Sequence, residues 1–116
     1  MKKRTQRENL ERKLPEYNDN RLKTASERII FDEVTSDDDN YIVDFAKELI
    51  MGKPLILNFR EINVDEANKI VSFLSGVIFA INGIIEEIDD KIFLFARKQD
   101  FKDGTLKKFI EDVKQR

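Results

Sequence analysis

A chain of 116 residues holds one small domain with room for tails, and its 38% charged and 41% hydrophobic residues give it the composition of a soluble globular protein. It has no cysteine and no histidine, which excludes disulfides, the commonest zinc ligands, the Ser-His and Cys-His nucleophile pairs and the usual near-neutral general base. The net charge of −2 is unevenly spread, with nine Lys/Arg against five Asp/Glu in residues 1–28, six against fourteen in 29–97 and six against four in 98–116, so the acidic centre would repel phosphate backbones and argues against a nucleic-acid module built on the core.

Residues 1–28 read as a flexible, weakly basic tail. Leu10 and Leu14 stand four apart on a short helical pattern that Pro15 interrupts, which is too little apolar face for a membrane-surface helix. No apolar run is long enough to span a bilayer, and the start lacks a signal-peptide h-region. A first strand is expected over 28–35, with Ile29, Phe31 and Val34 inward. The Ser36-Asp37-Asp38-Asp39 run lacks the alternating ligands, central Gly and distal Glu of a calcium loop. It reads instead as the cap and dipole-favoured first turn of a helix over 40–51. Ile42, Phe45, Ala46, Leu49 and Ile50 make that helix's apolar stripe, with Gly52 closing it and Pro54 blocking its continuation.

Residues 55–59 are apolar on both strand faces except at Asn58, the pattern of a central strand. Asn63 or Asp65 caps a second helix over 65–81, whose stripe is Ala67, Ile70, Val71, Leu74, Val77, Ile78 and Ile81. Ile62, Val64, Phe73 and Phe79 fall partly outside that stripe. Gly76 sits inside the helix, where it costs about 1 kcal/mol against Ala and either permits close approach of another backbone or packs as a small residue against the protein's own sheet. Asn82-Gly83 ends the helix and leads into a hairpin over 84–88 and 91–96, turning at Asp89-Asp90. Ile92-Phe93-Leu94-Phe95 are four consecutive large apolar residues and need cover on both sheet faces. Helices supply one face, and a second copy of the chain is the simplest cover for the other. Thr105 caps a final helix with Leu106, Phe109, Ile110 and Val113 on one side. The order predicts an α/β fold, a two-layer β-α-β-α-β-β sandwich with helices on one sheet face plus a short C-terminal helix. Its organisation is a charged tail over 1–28, a core over 29–97, and a linker with amphipathic helix over 98–116.

Several spaced motifs point to one family. They are Ile56-Leu57-Asn58-Phe59, Asn63-Val64-Asp65-Glu66-Ala67-Asn68-Lys69-Ile70-Val71, Ser72-Phe73-Leu74-Ser75-Gly76, Phe79-Ala80-Ile81-Asn82-Gly83 and Ile92-Phe93-Leu94. In order and spacing they resemble SepF, a cell-division family that binds FtsZ, the tubulin-like division GTPase. The resemblance covers about residues 29–97. It implies a cytoplasmic, non-enzymatic homodimer at the septum that binds the C-terminal tail of FtsZ and assembles into polymers, with no cofactor or metal. It implies partner contacts at Phe93, Glu87, Ile85 and Leu94 and an assembly face at Gly76, Phe73, Ala80 and Val77. It also implies a membrane-binding N-terminal helix, which the sequence over 1–28 does not display. Ser72 departs from the family's Asp, Asp89 from a turn Gly, and Arg97-Lys98-Gln99 from a Pro-containing segment. The rival reading, a STAS-like regulatory interaction domain, calls for a Ser at the start of the helix after the central strand, where this chain has Asn63-Val64-Asp65-Glu66.

Overall fold

The structure, a computed structural model, describes residues 23–115. The tail expected over 1–28 therefore lies outside the described residues up to position 22.

Four strands and three helices follow in the expected order. They are β1 (Ile30–Glu33), α1 (Asp39–Ile50), β2 (Leu55–Asn58), α2 (Val64–Ala80), β3 (Gly83–Asp89), β4 (Ile92–Arg97) and α3 (Thr105–Lys114). Short 3-10 turns at Ser26–Arg28 and Lys98–Phe101 precede β1 and follow β4. The sheet order is β1-β2-β4-β3, parallel between β1 and β2 and antiparallel elsewhere. The parallel pair follows from the α1 crossover, because a helix must return the chain to the same end of the sheet. β2 and β4 are central, β2 as its apolar run implies. Leu55, Ile56, Leu57, Leu94, Phe95 and Ala96 are all buried.

Alternation along the strands divides the core in two. Leu55, Leu57 and Phe95 face α1 and α2, meeting Phe45, Leu49, Ile70, Leu74 and Ile78. Ile56, Leu94, Ala96 and Ile88 face the other way, where α3 lays Leu106 and Ile110 across them. The expected sandwich of α1 and α2 on one face thus gains a third layer. The second face, which the sequence left in want of a partner, is covered in part by the chain's own last helix. Each fully buried Leu, Ile or Phe stabilises the fold by about 1.5–3 kcal/mol relative to exposure.

Two expectations change. Phe31 lies on the second face and remains 62% exposed, while Ile30 packs toward α1 and α2. The strand's alternation is intact but its inward face is the opposite one, because both sheet faces are apolar and neither announces itself in the sequence. Ile50, placed in the α1 stripe, is exposed. It belongs to the last turn of α1, where the chain leaves the sheet toward Gly52.

Local signals account for most element ends. Gly52 adopts φ +93°, its amide bonds to the Leu49 carbonyl, and the Lys53 amide reaches Glu48. Asn63 caps α2 through a reciprocal box with Glu66, with Asn63 Oδ1 accepting from the Glu66 amide at 2.8 Å and Glu66 Oε1 from the Asn63 amide at 3.2 Å. Asp38 precedes α1 but makes no side-chain cap, and Ser36 Oγ instead accepts the Asp38 amide. The hairpin turns one residue later than expected, at Asp90-Lys91. A register shift between Glu87 and Asp89 inserts a bulge there, and Lys91 takes φ +60°.

Gly83 and Gly76 differ in a way that a paired experiment can read. A Cβ at Gly83 would lie 2.5 Å from the Ala96 carbonyl oxygen and 2.9 Å from Ile78 Cδ1. A Cβ at Gly76 would meet nothing within 4 Å. Gly83→Ala is therefore expected to cost about 1–3 kcal/mol as an overpacked site. Gly76→Ala is expected to gain up to about 1 kcal/mol from helix propensity. Urea denaturation of the two variants checks both signs.

Asp103 ties the chain's entry to the start of α3. Its Oδ2 accepts the Ala25 amide at 2.9 Å, its Oδ1 accepts the Thr105 amide and hydroxyl, and Thr105 Oγ1 accepts the Ser26 amide at 3.0 Å. The backbone bonds from Thr105, then from Ala25, hold the Asp103 carboxyl below its ordinary value. A carboxyl depressed in the folded state stabilises the fold above its unfolded pKa of about 4, and that stabilisation is lost as pH falls through the folded value. On acidification the amide signals of Ala25 and Thr105 should therefore titrate together, with a midpoint below about 4. A midpoint above that would contradict the latch.

Candidate functional site: an apolar groove beside the hairpin

The end of β2 is the starting point. Phe59 leaves the strand with its amide bonded to the Lys91 carbonyl at 2.8 Å, which pins the hairpin turn against the β2 end. Arg60 adds a bond from Nε to the Asp90 carbonyl at 3.1 Å. Asn58, the polar exception in β2, turns the chain by accepting the Arg60 amide on Oδ1. The capping box at Asn63 then fixes where α2 begins. Between that first stretch of α2 and the hairpin lies a groove of about 220 Å³, walled by Phe59, Ile62, Val64, Ala67, Val71 and Phe93. Asn63, Asn68 and Lys91 supply its polar margin. Phe59 and Phe93 meet edge to face with centroids 5.7 Å apart, an arrangement that holds both rings in fixed orientation.

The structure divides the residues implied as partner contacts. Phe93 lines the groove. Ile85 and Glu87 lie on the neighbouring strand β3, on the same sheet face, with Glu87 paired to Phe93 and Ile85 to Phe95. Ile85 packs partly buried on the main core. Glu87 is exposed, and its Oε2 accepts the Lys91 amide at 3.1 Å. Leu94 is on the opposite face, fully buried beneath α3. It backs the strand rather than joining the groove.

The residues implied as an assembly face cluster on α2. Phe73, Gly76 and Ala80 are exposed, and Val77 is half-buried against the core. Phe73 also lines a second groove with Asp39, Ile42, Val43 and Lys69. Lys69 Nζ lies 3.1 Å from Asp39 and 3.6 Å from Asp37, and the bond to Asp39 chiefly raises its pKa. Phe79, one residue before Ala80, is 89% exposed.

Phe59, Ile62, Val64, Ala67 and Val71 were absent from the implied contact set. A signal for part of them existed. Ile62, Val64, Phe73 and Phe79 were the large apolar residues that did not fit the α2 stripe. In the structure Val64, Phe73 and Phe79 are exposed, and Ile62 walls the groove. Off the core stripe, Val64, Phe73 and Phe79 find no cover within the domain, whereas Ile62 packs partly on the core from the loop before α2.

Among the described residues no group of His, Cys, Asp and Glu is arranged to hold a metal ion, and no helix is long and apolar enough to cross a membrane. A four-stranded α/β domain whose built concavity is apolar, aromatic-floored and beside a sheet-edge hairpin has the form of a protein-interaction domain. The family model described as "Cell division protein SepF" matches residues 29–99, and the chain belongs to that family. Curated relatives carry the same description. One from Lactobacillus gasseri is 34% identical over 68 residues, covering 59% of this chain and 47% of the relative. One from Lactiplantibacillus plantarum is 43% identical over 53 residues, covering 46% and 38%. One from Brevibacillus brevis is 32% identical over 69 residues, covering 60% and 49%. The chain thus matches about half the length of these relatives or less. Membership of that family displaces the STAS-like alternative.

Proposed function

We propose that this protein is a non-enzymatic adaptor of the division machinery that dimerises and captures the C-terminal tail of FtsZ. The observation that carries the reading is the groove floored by Phe59 and Phe93 at the hairpin. An extended or helical tail would bury a few apolar side chains there, with Lys91 and Glu87 at its edge to read charge. Val64, exposed on the first turn of α2, is apolar surface that such a peptide would cover. The exposed Phe73, Gly76, Ala80 and Phe79 on α2 favour a helix-to-helix contact between copies, with Val77 beneath it. Dimers and larger polymers would present several grooves to a polymeric client and raise avidity without new contacts. The proposed place of action is the cytoplasmic side of the septum.

The test is a titration of the full chain with a peptide carrying the host FtsZ C-terminal tail. Saturable binding supports the reading, and hairpin and α2 amides should shift together. Absence of binding at about 1 mM peptide, where even contacts worth ~4 kcal/mol register, overturns it.

A further inference from the structure

The joint between α2 and β3 is made by Asn82 and Gly83. Asn82 is exposed and takes φ +58°, a left-handed conformation that glycine and asparagine adopt most readily. Its backbone amide donates to the Phe79 carbonyl at 3.3 Å, and its carbonyl accepts the Lys98 amide at 3.1 Å. Its side-chain amide has no hydrogen-bond partner among the described residues. The Lys98 bond also fixes the ladder. It makes Gly83 and Arg97 a non-hydrogen-bonded pair of the antiparallel β3–β4 ribbon, so the Gly83 amide points away from β4. β3 is an edge of the sheet, and among the described residues no carbonyl of α2 takes up that amide. An unbonded amide nitrogen therefore follows an unbonded, exposed carboxamide, with no side chain on Gly83 to hold the two apart.

The other asparagines of the described fold differ. Asn58 Oδ1 accepts the Arg60 amide at 2.9 Å, and the amide that follows it, of Phe59, donates to the Lys91 carbonyl at 2.8 Å. Asn63 is held in its capping box and followed by the β-branched Val64. Asn40 and Asn68 lie within helices and are followed by Tyr41 and Lys69. Asp103-Gly104 has the same form as Asn82-Gly83 but is tied down. Its carboxylate accepts the Ala25 and Thr105 amides, and the Gly104 amide donates to the Phe101 carbonyl at 3.2 Å.

We propose that Asn82-Gly83 is a site of spontaneous deamidation that adds a negative charge to the end of α2. The Gly83 nitrogen gives its proton to solvent base and bonds to Asn82 Cγ. The Cγ–Nδ2 bond breaks, and the side-chain nitrogen leaves as ammonia. Water then opens the resulting succinimide at either carbonyl, giving aspartate or isoaspartate. The net change is a water taken up and an ammonia released, with no oxidant or reductant. The new carboxylate sits at the negative end of the α2 dipole, beside the exposed Phe79 and Ala80. The isoaspartate product also lengthens the backbone by a methylene at a tight joint, where a Cβ on Gly83 would already lie 2.5 Å from the Ala96 carbonyl oxygen. The reaction needs neither tail capture nor assembly, only the geometry of the joint.

Trypsin isolates the site, because residues 70–91 lie between the cuts after Lys69 and Lys91 and contain Asn82 as their only amide side chain. The folded full chain is incubated in warm, mildly alkaline buffer, and samples are digested over time and weighed by mass spectrometry against a digest taken at the start. The 70–91 peptide should gain the mass difference between an amide and an acid and split into two chromatographic forms. Conversion should quicken as the incubation pH rises. The peptides holding Asn58 and Asn63 should keep their masses. A 70–91 peptide still intact when a urea-unfolded sample has converted overturns the proposal, because the fold then shields the joint. Conversion of the Asn58 and Asn63 peptides at the same rate also overturns it, because the joint then has no reactivity of its own.

Discussion

Asp100→Ala is expected to cost about 3 kcal/mol or more, the largest single loss available outside the apolar core. Asp100 is the one buried charged residue among those described, with its side chain 3% exposed. Its Oδ1 accepts from Arg28 Nη2 at 3.0 Å and Arg97 Nη2 at 2.8 Å, and its Oδ2 from Arg97 Nε at 3.1 Å and the Arg97 amide at 3.3 Å. Arg28 continues to the Gly52 carbonyl at 3.0 Å. One carboxylate therefore joins the chain's entry, the α1–β2 turn and the linker to α3. Removing it leaves the Arg28 guanidinium, its side chain only 10% exposed, without its carboxylate, and Arg28 Nε already lacks a partner there, while Arg97 at 23% keeps some access to water. At about 4–8 °C per kcal/mol, the midpoint of thermal unfolding should fall by more than about 10 °C. The Lys114–Glu86 pair is shorter, at 2.7 Å, but exposed. Glu86→Ala should cost less than about 1 kcal/mol, because solvent screens it. Equal losses in the two variants would contradict the assignment of Asp100 as the hub.

Phe93→Ala is expected to abolish most of the proposed tail capture. The ring is held edge-on to Phe59, and its removal empties the groove floor while leaving β4 paired on both sides. A central aromatic anchor is worth about 2 kcal/mol or more at such sites, so the Kd for the FtsZ tail peptide should rise about 30-fold. Phe79→Ala is the control, since Phe79 is solvent-exposed at the other end of α2. It should leave the peptide Kd within about twofold while weakening contacts between copies. Circular dichroism confirms that both variants keep the fold. A Phe93→Ala Kd within about twofold of the parent would place the tail elsewhere.

Much of the fold was legible because short-range physics wrote it. The 3.6-residue stripes of α1 and α2, the Gly52 and Asn82-Gly83 stops, the Asn63–Glu66 box and the unbroken apolar runs of β2 and β4 each act within a few residues. A sequence displays such signals directly. The bulge at the hairpin escaped because Asp89, Asp90 and Lys91 carry no residue that demands one register. The contact between Lys91 and Phe59 sets it instead. The groove was half legible. Phe93 came through family resemblance, and Val64 and Ile62 showed only as apolar residues that fitted no stripe.

The sequence by itself determined the α/β class, the element order, the cap of α2 and the absence of histidine and cysteine chemistry, because composition and periodicity are local properties. Only the tertiary structure decided which sheet face each strand residue serves. Phe31 went to the open second face and Leu94 beneath α3, because with both faces apolar the choice belongs to whichever helix arrives to cover them. It also decided that Asp100, one acid among twenty-three Asp/Glu, is the buried hub, since Arg28, 72 residues earlier in the chain, joins the local partner Arg97 on its carboxylate only in the folded chain.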